Sequence, residues 1–503
     1  MVRRAIVAGT YLGAFALGLW LVRPFHSASI GPDAAAPVIE FQRLLAGQRL
    51  EGALSQTSKP LLTLLYGIAY GVAGDWRAVA ILVVAAYAAC VVCGGLLAYR
   101  VSGWFGAGFV AFGIAVSPAL LTDISLAYGL TWAVLALLVA GLAVTAPRPR
   151  YAVAGAALAI GALARPEVMA VTGVAGAALV VGHLLARRGS TARPPREAWL
   201  LLLGFAAVPI LALHDLALFG DPLFWAKTAQ VNSASSGPVR APLLVVRFVI
   251  GQVAALSPLS LLAIIGIAAQ VLARQWAVAV GLVAATAGIA LFWIAVGIRG
   301  VAIDTRYLQS IDVGVIVAAG IGIGSISVPA FAGVMARFEG GRASPLILVL
   351  VATLCFCALG PNWIFVSATR MSARVQIQLH ANEARAVAAI RSALVAPPSW
   401  RSAPTGSVLV VVPPRLRAQI VVDLDLPLWA VAKSFGPAIA LAKATPPPGA
   451  IIYHDRLDDA SSAVFTQLEV DVPTVVGSVR LNPILVDRSA GIWVLRVETA
   501  PGT

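Results

Sequence analysis

Side chains capable of proton transfer and anion binding are concentrated in one polar stretch, residues 31–60. This stretch contains Asp33, Glu40 and Arg43, whereas only 12% of the whole chain is charged. A carboxylate can accept the proton of a hydroxyl group, and a guanidinium can hold an anion through two parallel hydrogen bonds. We therefore interpret residues 31–60 as a catalytic loop.

Further ionisable side chains lie where apolar segments begin, end or are interrupted. They are Lys59, Asp123, Arg165, Glu167, His214, Asp215, Asp221, Lys227, Asp304 and Arg306. A charged group near the centre of a membrane span costs about 2.5–3.5 kcal/mol on insertion scales, so such groups mark function by default. Guanidinium groups in this set suit a phosphate, and carboxylates suit proton transfer.

Structural interpretations compete with the functional ones for the acidic residues. Asp33 follows Gly-Pro and can cap the next helix. Glu40 and Arg43 are three residues apart and can pair on a helix surface. His214 and Asp215 lie in apolar sequence, where a buried hydrogen-bonded pair is as plausible as a site.

The basic residues have the same two interpretations. Arg165 and Glu167 flank a proline between two apolar segments and can act as anchors whose charged ends reach the lipid headgroups, as can Lys227. Asp304 and Arg306 can form a solvated pair of little energetic value. These alternatives remain open from the sequence.

Composition identifies the class of protein. Hydrophobic residues make up 60% of the 503 residues and mean hydropathy is +0.90, whereas a soluble chain carries about 25% charged residues. The net charge of +14 comes from Lys and Arg in short turns, not from basic arms or stripes interleaved with aromatic residues. We expect a polytopic membrane protein whose partners are membrane lipid and phosphate, and not nucleic acid.

The sequence contains no recognisable metal site. The four cysteines lie within apolar segments and are interpreted as core residues: Cys90, Cys93, Cys355 and Cys357. The acidic loop has no Asp-x-Asp spacing, and the pair Asp423 and Asp425 is interpreted as a strand-to-turn pair. We predict no metal ligands, and the requirement for a divalent metal stays open.

Apolar segments predict about eleven membrane spans at about 20 residues each. They cover residues 5–22, 78–99, 104–121, 125–144, 151–163, 168–185, 198–219, 244–272, 276–298, 313–335 and 345–366. The first is interpreted as a retained signal-anchor because no cleavage site closes it. Residues 36–48 and 61–73 predict two interfacial helices in the first external loop. Ser257-Pro258 predicts a kink within span 244–272.

The character of the chain changes near residue 368. Residues 374–394 predict an amphipathic helix, residues 407–414 and 450–455 predict strands, and T-P-P-P-G at 445–449 predicts a turn. The predicted division is therefore a transmembrane catalytic domain, residues 1–367, and a small soluble α/β domain, residues 368–503.

The span count relates the two termini to each other, and the acids indicate the face that carries the site and not the orientation. The two sides carry similar numbers of Lys and Arg, so the positive-inside rule does not decide. With the N-terminus in the cytoplasm, most acidic residues share the outer face, and eleven spans put the C-terminal domain outside. We expect a multi-pass protein of the plasma (inner) membrane with a cytoplasmic N-terminus and an extracytoplasmic C-terminal domain.

A series of short motifs carries a family resemblance from the first span to about residue 310. In order they are Asp33 in an acidic first external loop, K-P-L-L-T-L-L-Y, S-P-A-L-L, L-A-R-P-E, G-D-P-L-F and R-Y-L. In this series the chain resembles the GT-C glycosyltransferases, and within them it is similar to protein O-mannosyltransferases and bacterial arabinosyl- or mannosyltransferases. It departs from many members in that Asp33 has no adjacent acid.

The resemblance implies a GT-C-like fold and a function. A hexosyl- or pentosyltransferase of this kind moves a sugar, with inversion, from a polyprenyl-phosphate donor to an extracytoplasmic glycan, lipid or protein; the donor is a substrate, and no cofactor is implied with certainty. Asp33 is then the base, assisted by Glu40, and Arg165, Arg306 and Lys227 bind the donor phosphate. The other candidates for the cavity are Lys59, Asp123, Glu167, His214, Asp215, Asp221 and Asp304.

Two other classes of function compete with this one. A transporter or flippase of lipid-linked envelope precursors would also use many spans and charge on the outer face. Against it, the halves of the chain show no internal repeat and no matching pair of broken helices. A scaffold with an inert membrane part and a C-terminal domain that binds cell-wall material is the third possibility.

Overall fold

The computed structural model describes most of the membrane part and selected parts of the C-terminal part. The described residues are 2–22, 32–50, 59–188, 193–228, 242–256, 259–299, 305–337, 385–394, 410–412, 420–421, 424, 426, 430–433, 449–455, 474–476, 479–487 and 492–499. As predicted, this structure is mostly helical with a small C-terminal sheet.

The described residues of the first half form nine α-helices in chain order. They are α1 Val2–Val22, α2 Pro32–Leu45, α3 Pro60–Ala73, α4 Trp76–Ala115, α5 Pro118–Leu126, α6 Leu130–Val144, α7 Tyr151–Ala164, α8 Val168–Arg187 and, after the 3-10 segment Arg196–Ala206, α9 Ala207–Phe219. Helix α4 contains a break at Gly103 (φ 80°, ψ −166°), which lies between the predicted spans 78–99 and 104–121.

The second half continues with longer and more interrupted helices. They are α10 Pro242–Ala255, α11 Leu259–Leu272, α12 Trp276–Val283, the π-helical turn Ala284–Gly288, α13 Ile289–Ile298, α14 Thr305–Arg337 and α15 over residues 385–394. Glycines let α11 and α14 approach closely: a Cβ at Gly266 would lie 2.1 Å from the Ala318 carbonyl oxygen. Small residues at helix crossings are typical of packing in membranes.

Six described helices are long and apolar enough to span a membrane, or seven if α10 and α11 form one span. Three shorter apolar helices accompany them: Pro60–Ala73, Leu130–Val144 and Tyr151–Ala164. The protein is therefore a multi-pass membrane protein. The total of eleven spans stays a prediction, because the last predicted span, residues 345–366, lies outside the described residues.

Several predicted spans differ in shape from the structure; span 104–121, for example, is divided because α4 ends at Ala115 and α5 begins at Pro118. The predicted helix 125–144 is divided, because α5 ends at Leu126, Ala127 takes a left-handed conformation (φ 52°) and α6 begins at Leu130. The predicted kink in span 244–272 is much sharper, since α10 and α11 meet at 87°. A proline such as Pro258 has no backbone N–H and clashes with the preceding turn.

The predicted interfacial helices correspond to α2 and α3. Val38 of α2 is buried, and the ring of Phe41 contacts Gly67 of α3. Leu44 and Leu45 belong to the predicted apolar face, yet Leu45 is 74% exposed. The apolar face of α2 is thus divided between buried and exposed positions.

The C-terminal part forms a mixed six-stranded sheet in the order β2-β1-β3-β6-β5-β4. Its strands are β1 Val410–Val412, β2 Val431–Lys433, β3 Ile451–Asp455, β4 Thr474–Val476, β5 Val479–Asp487 and β6 Ile492–Thr499. Strand β1 pairs in parallel with β2 and β3, and the other pairs are antiparallel. Strands β1 and β3 lie within the two predicted strands, and Gly449 (φ 93°) ends the predicted turn.

The chain divides into two compact units. One comprises Met1–Val22, Gln56–Leu65 and Ala78–Met371, and the other comprises Arg23–Ser55, Tyr66–Arg77 and Ser372–Thr503. The predicted domain boundary at residue 368 stays a prediction.

Candidate functional site

Asp123 organises the turn between α5 and α6. Its Oδ1 accepts the Leu130 N–H at 3.0 Å, and its Oδ2 accepts the Thr131 N–H at 2.8 Å and the Thr131 hydroxyl at 2.5 Å. The residue before α6 is Gly129, which has no capping side chain, so Asp123 supplies the missing acceptor from the preceding helix. Asp123 is buried, and the three donors satisfy both of its carboxyl oxygens.

The α5–α6 turn packs against the end of α7. A Cβ at Gly129 would lie 2.9 Å from the Ala164 carbonyl oxygen and 3.5 Å from Cγ of Arg165. Only a glycine allows this approach of the two turns. Beside it, the Lys59 ammonium lies 5.9 Å from the centre of the Tyr128 ring, within the range of a cation–π contact.

The turn between α7 and α8 is built by Pro166. The residue before a proline is restricted to extended conformations, and Arg165 accordingly has φ −150° and ψ 119° as the C-cap of α7. Its Nε lies 2.5 Å from Oε1 of Glu167, and the two side chains are 11% and 1% exposed. Arg165 and Glu167 therefore form a buried ion pair between two apolar helices.

Arg165 also interacts electrostatically with Asp123. The structure thus brings together Asp123, Arg165 and Glu167, and we refer to these three residues as the junction cluster. Glu167 contacts the guanidinium directly, and Asp123 interacts with it electrostatically. A phosphate that binds Arg165 would have to compete with Glu167, because both are anionic partners for the same group.

His214 and Asp215 are both buried in α9. The Asp215 Oδ2 accepts the backbone N–H of Trp225 at 2.8 Å, and its Oδ1 lies 3.6 Å from Nδ1 of His214. Asp215 therefore holds the loop after α9 in place by a hydrogen bond to its backbone. This contact agrees with the structural interpretation of the pair.

Asp221 and Lys227 form an ion pair within the same loop. Asp221 also accepts the Leu223 N–H at 3.0 Å, and the Lys227 side chain is 64% exposed. The hydrogen bond from Lys227 lowers the pKa of the Asp221 carboxyl, so Asp221 stays ionised at neutral pH. Lys227 is accessible to an anionic ligand, although Asp221 competes for it.

In the polar loop, the structure describes the side chain of Glu40 but not that of Asp33. Glu40 is buried in α2. The Arg43 guanidinium, a proposed partner for Glu40, donates a hydrogen bond to the Gln48 side chain. Asp33 belongs to the first turn of α2, and its side chain lies outside the described part.

The D-T-R-Y-L motif is described only from the start of α14. Asp304 lies outside the described residues, as does the side chain of Arg306. Tyr307 is described, and its ring stacks on Trp293 of α13 at 4.8 Å. Helix α14 therefore contacts α13 through Tyr307, the residue that follows Arg306.

Thr131 and Gly129 are site residues that the sequence reasoning did not identify. Both lie one turn or less from the start of α6, where Thr131 donates two hydrogen bonds to Asp123. Gly129 before the apolar run 130–144 is a turn signal in the sequence, but nothing in the sequence identified Asp123 as the acceptor for Thr131. Across the ranges given above, no group of three or more His, Cys, Asp or Glu side chains is arranged to hold a metal ion.

Comparison with known proteins finds similarity in structure and not in sequence. No protein-family model and no curated protein matches the sequence. The archaeal oligosaccharyltransferase AglB from Archaeoglobus fulgidus, solved with an inhibitory peptide and a dolichol-phosphate, matches with a TM-score of 0.56 and 13% identity over 90% of this chain and 70% of that chain.

Two further solved structures are similar. The Archaeoglobus fulgidus oligosaccharyltransferase tethered to an acceptor peptide with the NVT sequon has a TM-score of 0.57 and 14% identity over 89% of this chain and 69% of that chain. ArnT from Cupriavidus metallidurans bound to undecaprenyl phosphate has a TM-score of 0.50 and 14% identity over 99% of this chain and 98% of that chain.

Proposed function

Because the chain has the fold of the GT-C membrane glycosyltransferases, we propose that it transfers a sugar from a polyprenyl-phosphate-linked donor to an extracytoplasmic acceptor. The observation that carries the proposal is this fold, shared with enzymes whose structures contain dolichol-phosphate or undecaprenyl phosphate. The buried junction cluster supports it, since buried charge between apolar helices is costly and marks function by default.

The proposed reaction is an inverting displacement. Asp33 takes the proton of the acceptor hydroxyl, whose oxygen forms the new bond to the anomeric carbon. The bond from that carbon to the phosphate oxygen breaks, and polyprenyl phosphate leaves with the electron pair. Glu40 assists Asp33. Arg306 and Lys227 stabilise the departing phosphate by charge-assisted hydrogen bonds.

In the proposed reaction, Arg165 of the junction cluster also binds the donor phosphate. The donor phosphate displaces Glu167 from the guanidinium, and Asp123 keeps the turn in position while this exchange occurs. The sugar is a hexose or a pentose, and the acceptor is a glycan, lipid or protein of the cell envelope. The N-terminus faces the cytoplasm, and residues 368–503 form the extracytoplasmic domain.

The test uses membranes that contain the full chain and a radiolabelled polyprenyl-phosphate sugar. Removing a general base typically costs 10²–10⁴-fold in rate, so we expect Asp33→Asn to lower transfer at least about 100-fold with normal expression. Asp75→Asn is the matched control, because Asp75 is an exposed acid whose ion pair with Arg77 lies on the surface. Transfer that Asp33→Asn leaves unchanged removes Asp33 from the mechanism.

The same protein, reconstituted in proteoliposomes, distinguishes the proposed enzyme from the competing transporter. A transporter or flippase would move the lipid-linked sugar across a proteoliposome without forming any covalent product. Movement without transfer, in wild-type protein supplied with acceptor, would contradict the proposed enzyme.

A further inference from the structure

A second feature of the membrane part is a cavity whose mouth lies at the end of α7 opposite to the junction cluster. This cavity, of about 680 Å³, is enclosed by α6, α7, α8, the 3-10 segment, α12 and α14. Its described lining includes Thr145, Tyr151 and Ser310 but no charged side chain, and the other residues are apolar or glycine. This volume is within the range of small-molecule and lipid-chain sites, about 300–1,000 Å³.

The cavity opens sideways between α8 and α12. Val181 of α8 and Trp276 of α12 both line the cavity, yet they are 53% and 59% exposed. Val181 lies within the span, where an exposed side chain faces lipid chains, whereas Trp276 lies near Arg274 at the membrane interface. The contents of the cavity can therefore exchange with the hydrocarbon interior of the bilayer.

The cavity also reaches one end of the helix bundle. Thr145 follows α6, Tyr151 begins α7, Pro194 precedes the 3-10 segment and Trp276 begins α12. This end is about 20 Å from Arg165, since α7 has 14 residues and an α-helix rises 1.5 Å per residue. The mouth of the cavity is thus distant from the junction cluster, whereas its inner end reaches Val171 of α8, four residues after Glu167.

The connecting segments at this end are strongly basic. Segments 145–150, 186–198 and 273–275 contain one acid, Glu197, and seven arginines: Arg148, Arg150, Arg187, Arg188, Arg193, Arg196 and Arg274. All seven are exposed. Four to eight basic residues next to membrane helices are typical of sites that bind anionic lipid headgroups.

From this combination we propose that one acyl chain of an anionic phospholipid occupies the cavity, with the headgroup phosphate bound by the arginines at its mouth. The apolar lining and the lateral opening suit a hydrocarbon chain. The charge at the mouth is complementary to a phosphate on the same molecule. The lipid enters from the leaflet on the basic side, opposite the junction cluster.

The structure offers a matched pair of glycines for testing the cavity. Gly281 of α12 lines the cavity, and a Cβ added there meets nothing within 4 Å. Gly251 of α10 has the same empty surroundings but does not line the cavity. Gly281→Phe therefore places an aromatic side chain at the cavity lining without a backbone clash, and Gly251→Phe adds the same side chain elsewhere.

The experiment places the full chain in nanodiscs of phosphatidylcholine and phosphatidylglycerol that contain a trace of either lipid with a photoreactive acyl chain. After illumination, labelled peptides are identified by mass spectrometry. We expect the phosphatidylglycerol probe to label α8 and α12 at least about fivefold more than the phosphatidylcholine probe. Gly281→Phe should reduce this labelling to background, whereas Gly251→Phe should leave it unchanged.

A surface variant tests the headgroup without altering the packing of the cavity. Arg193→Gln with Arg196→Gln should lower labelling by phosphatidylglycerol about fivefold per arginine and leave that by phosphatidylcholine unchanged. Four outcomes would overturn the proposal: equal labelling by both probes, labelling that Gly281→Phe does not reduce, absence of labelling on α8 and α12, and displacement of the probe by polyprenyl phosphate but not by phosphatidylglycerol.

Discussion

Arg165 is the residue at which structural and catalytic demands meet. Its guanidinium is paired with Glu167 and interacts with Asp123. A buried ion pair is weak evidence for stability, because the desolvation of both charges offsets their attraction. Breaking such a pair by removing one partner is nevertheless costly, since it leaves an uncompensated buried charge.

The first prediction separates these roles. Glu167→Gln should lower the free energy of unfolding by about 3–5 kcal/mol, because Arg165 loses its buried partner. The double variant Arg165→Met with Glu167→Leu should recover most of this loss, as apolar residues replace the whole pair. Thermal unfolding in detergent measures both. A well-folded double variant that transfers sugar at the wild-type rate would contradict the proposed phosphate contact of Arg165.

The second prediction concerns the cap at Asp123. Asp123→Ala leaves the N–H groups of Leu130 and Thr131 without their acceptor, and should cost about 1–3 kcal/mol of stability. Asp221→Ala is the control, because Asp221 lies in an exposed loop, and surface substitutions usually change stability by less than about 0.5 kcal/mol. Equal unfolding temperatures for the two variants would show that the α5–α6 turn does not depend on Asp123.

At the scale of elements, helices α11 and α14 depend on glycine at their crossing. A Cβ at Gly266 would lie 2.1 Å from the Ala318 carbonyl oxygen, a distance at which one helix must shift. Because lipid provides no hydrophobic driving force between helices, this close packing is a main source of their association.

The third prediction tests that crossing. Gly266→Ala should destabilise the protein by about 1–3 kcal/mol, the usual cost of overpacking. Gly251→Ala is the matched control, since its Cβ meets nothing and alanine is favoured over glycine in a helix by about 1 kcal/mol. The two variants should therefore shift the unfolding temperature in opposite directions. A rise for Gly266→Ala would mean that α11 and α14 can separate freely.

At the scale of the whole molecule, the number of membrane spans decides on which side of the membrane the C-terminal sheet lies relative to the N-terminus. An odd number of spans puts the two termini on opposite sides of the membrane, and the predicted number is eleven. The mixed six-stranded sheet follows all the described membrane helices in the sequence.

The fourth prediction is topological. An alkaline phosphatase fused after Thr503 should be active, and a green fluorescent protein at the same place should be dark after export, because the C-terminal domain is expected outside the cytoplasm. Fusions after Arg150 should give the opposite pattern, since this basic turn is expected inside. A cytoplasmic C-terminus with a cytoplasmic Arg150 would require an even number of spans after Arg150, whereas the prediction has seven.

The sequence determined the class of protein and the positions of its ionisable residues. Apolar length alone predicts α7 and α8 within two residues at their ends, because backbone groups in lipid must be satisfied within one helix. It also predicts the buried Arg165 turn as a junction, since proline restricts the residue before it. The resemblance to GT-C glycosyltransferases is confirmed by the fold.

Only the tertiary structure decided which of these residues meet. Hydropathy does not detect the break at which Asp123 caps α6. The approach of Gly129 to Ala164 joins turns that are distant in sequence. The sequence predicted a kink between α10 and α11, but not its angle. The large cavity is likewise a property of several packed helices. Periodicity reports how each helix divides between apolar and polar faces, whereas the distance between two side chains is set by helix packing.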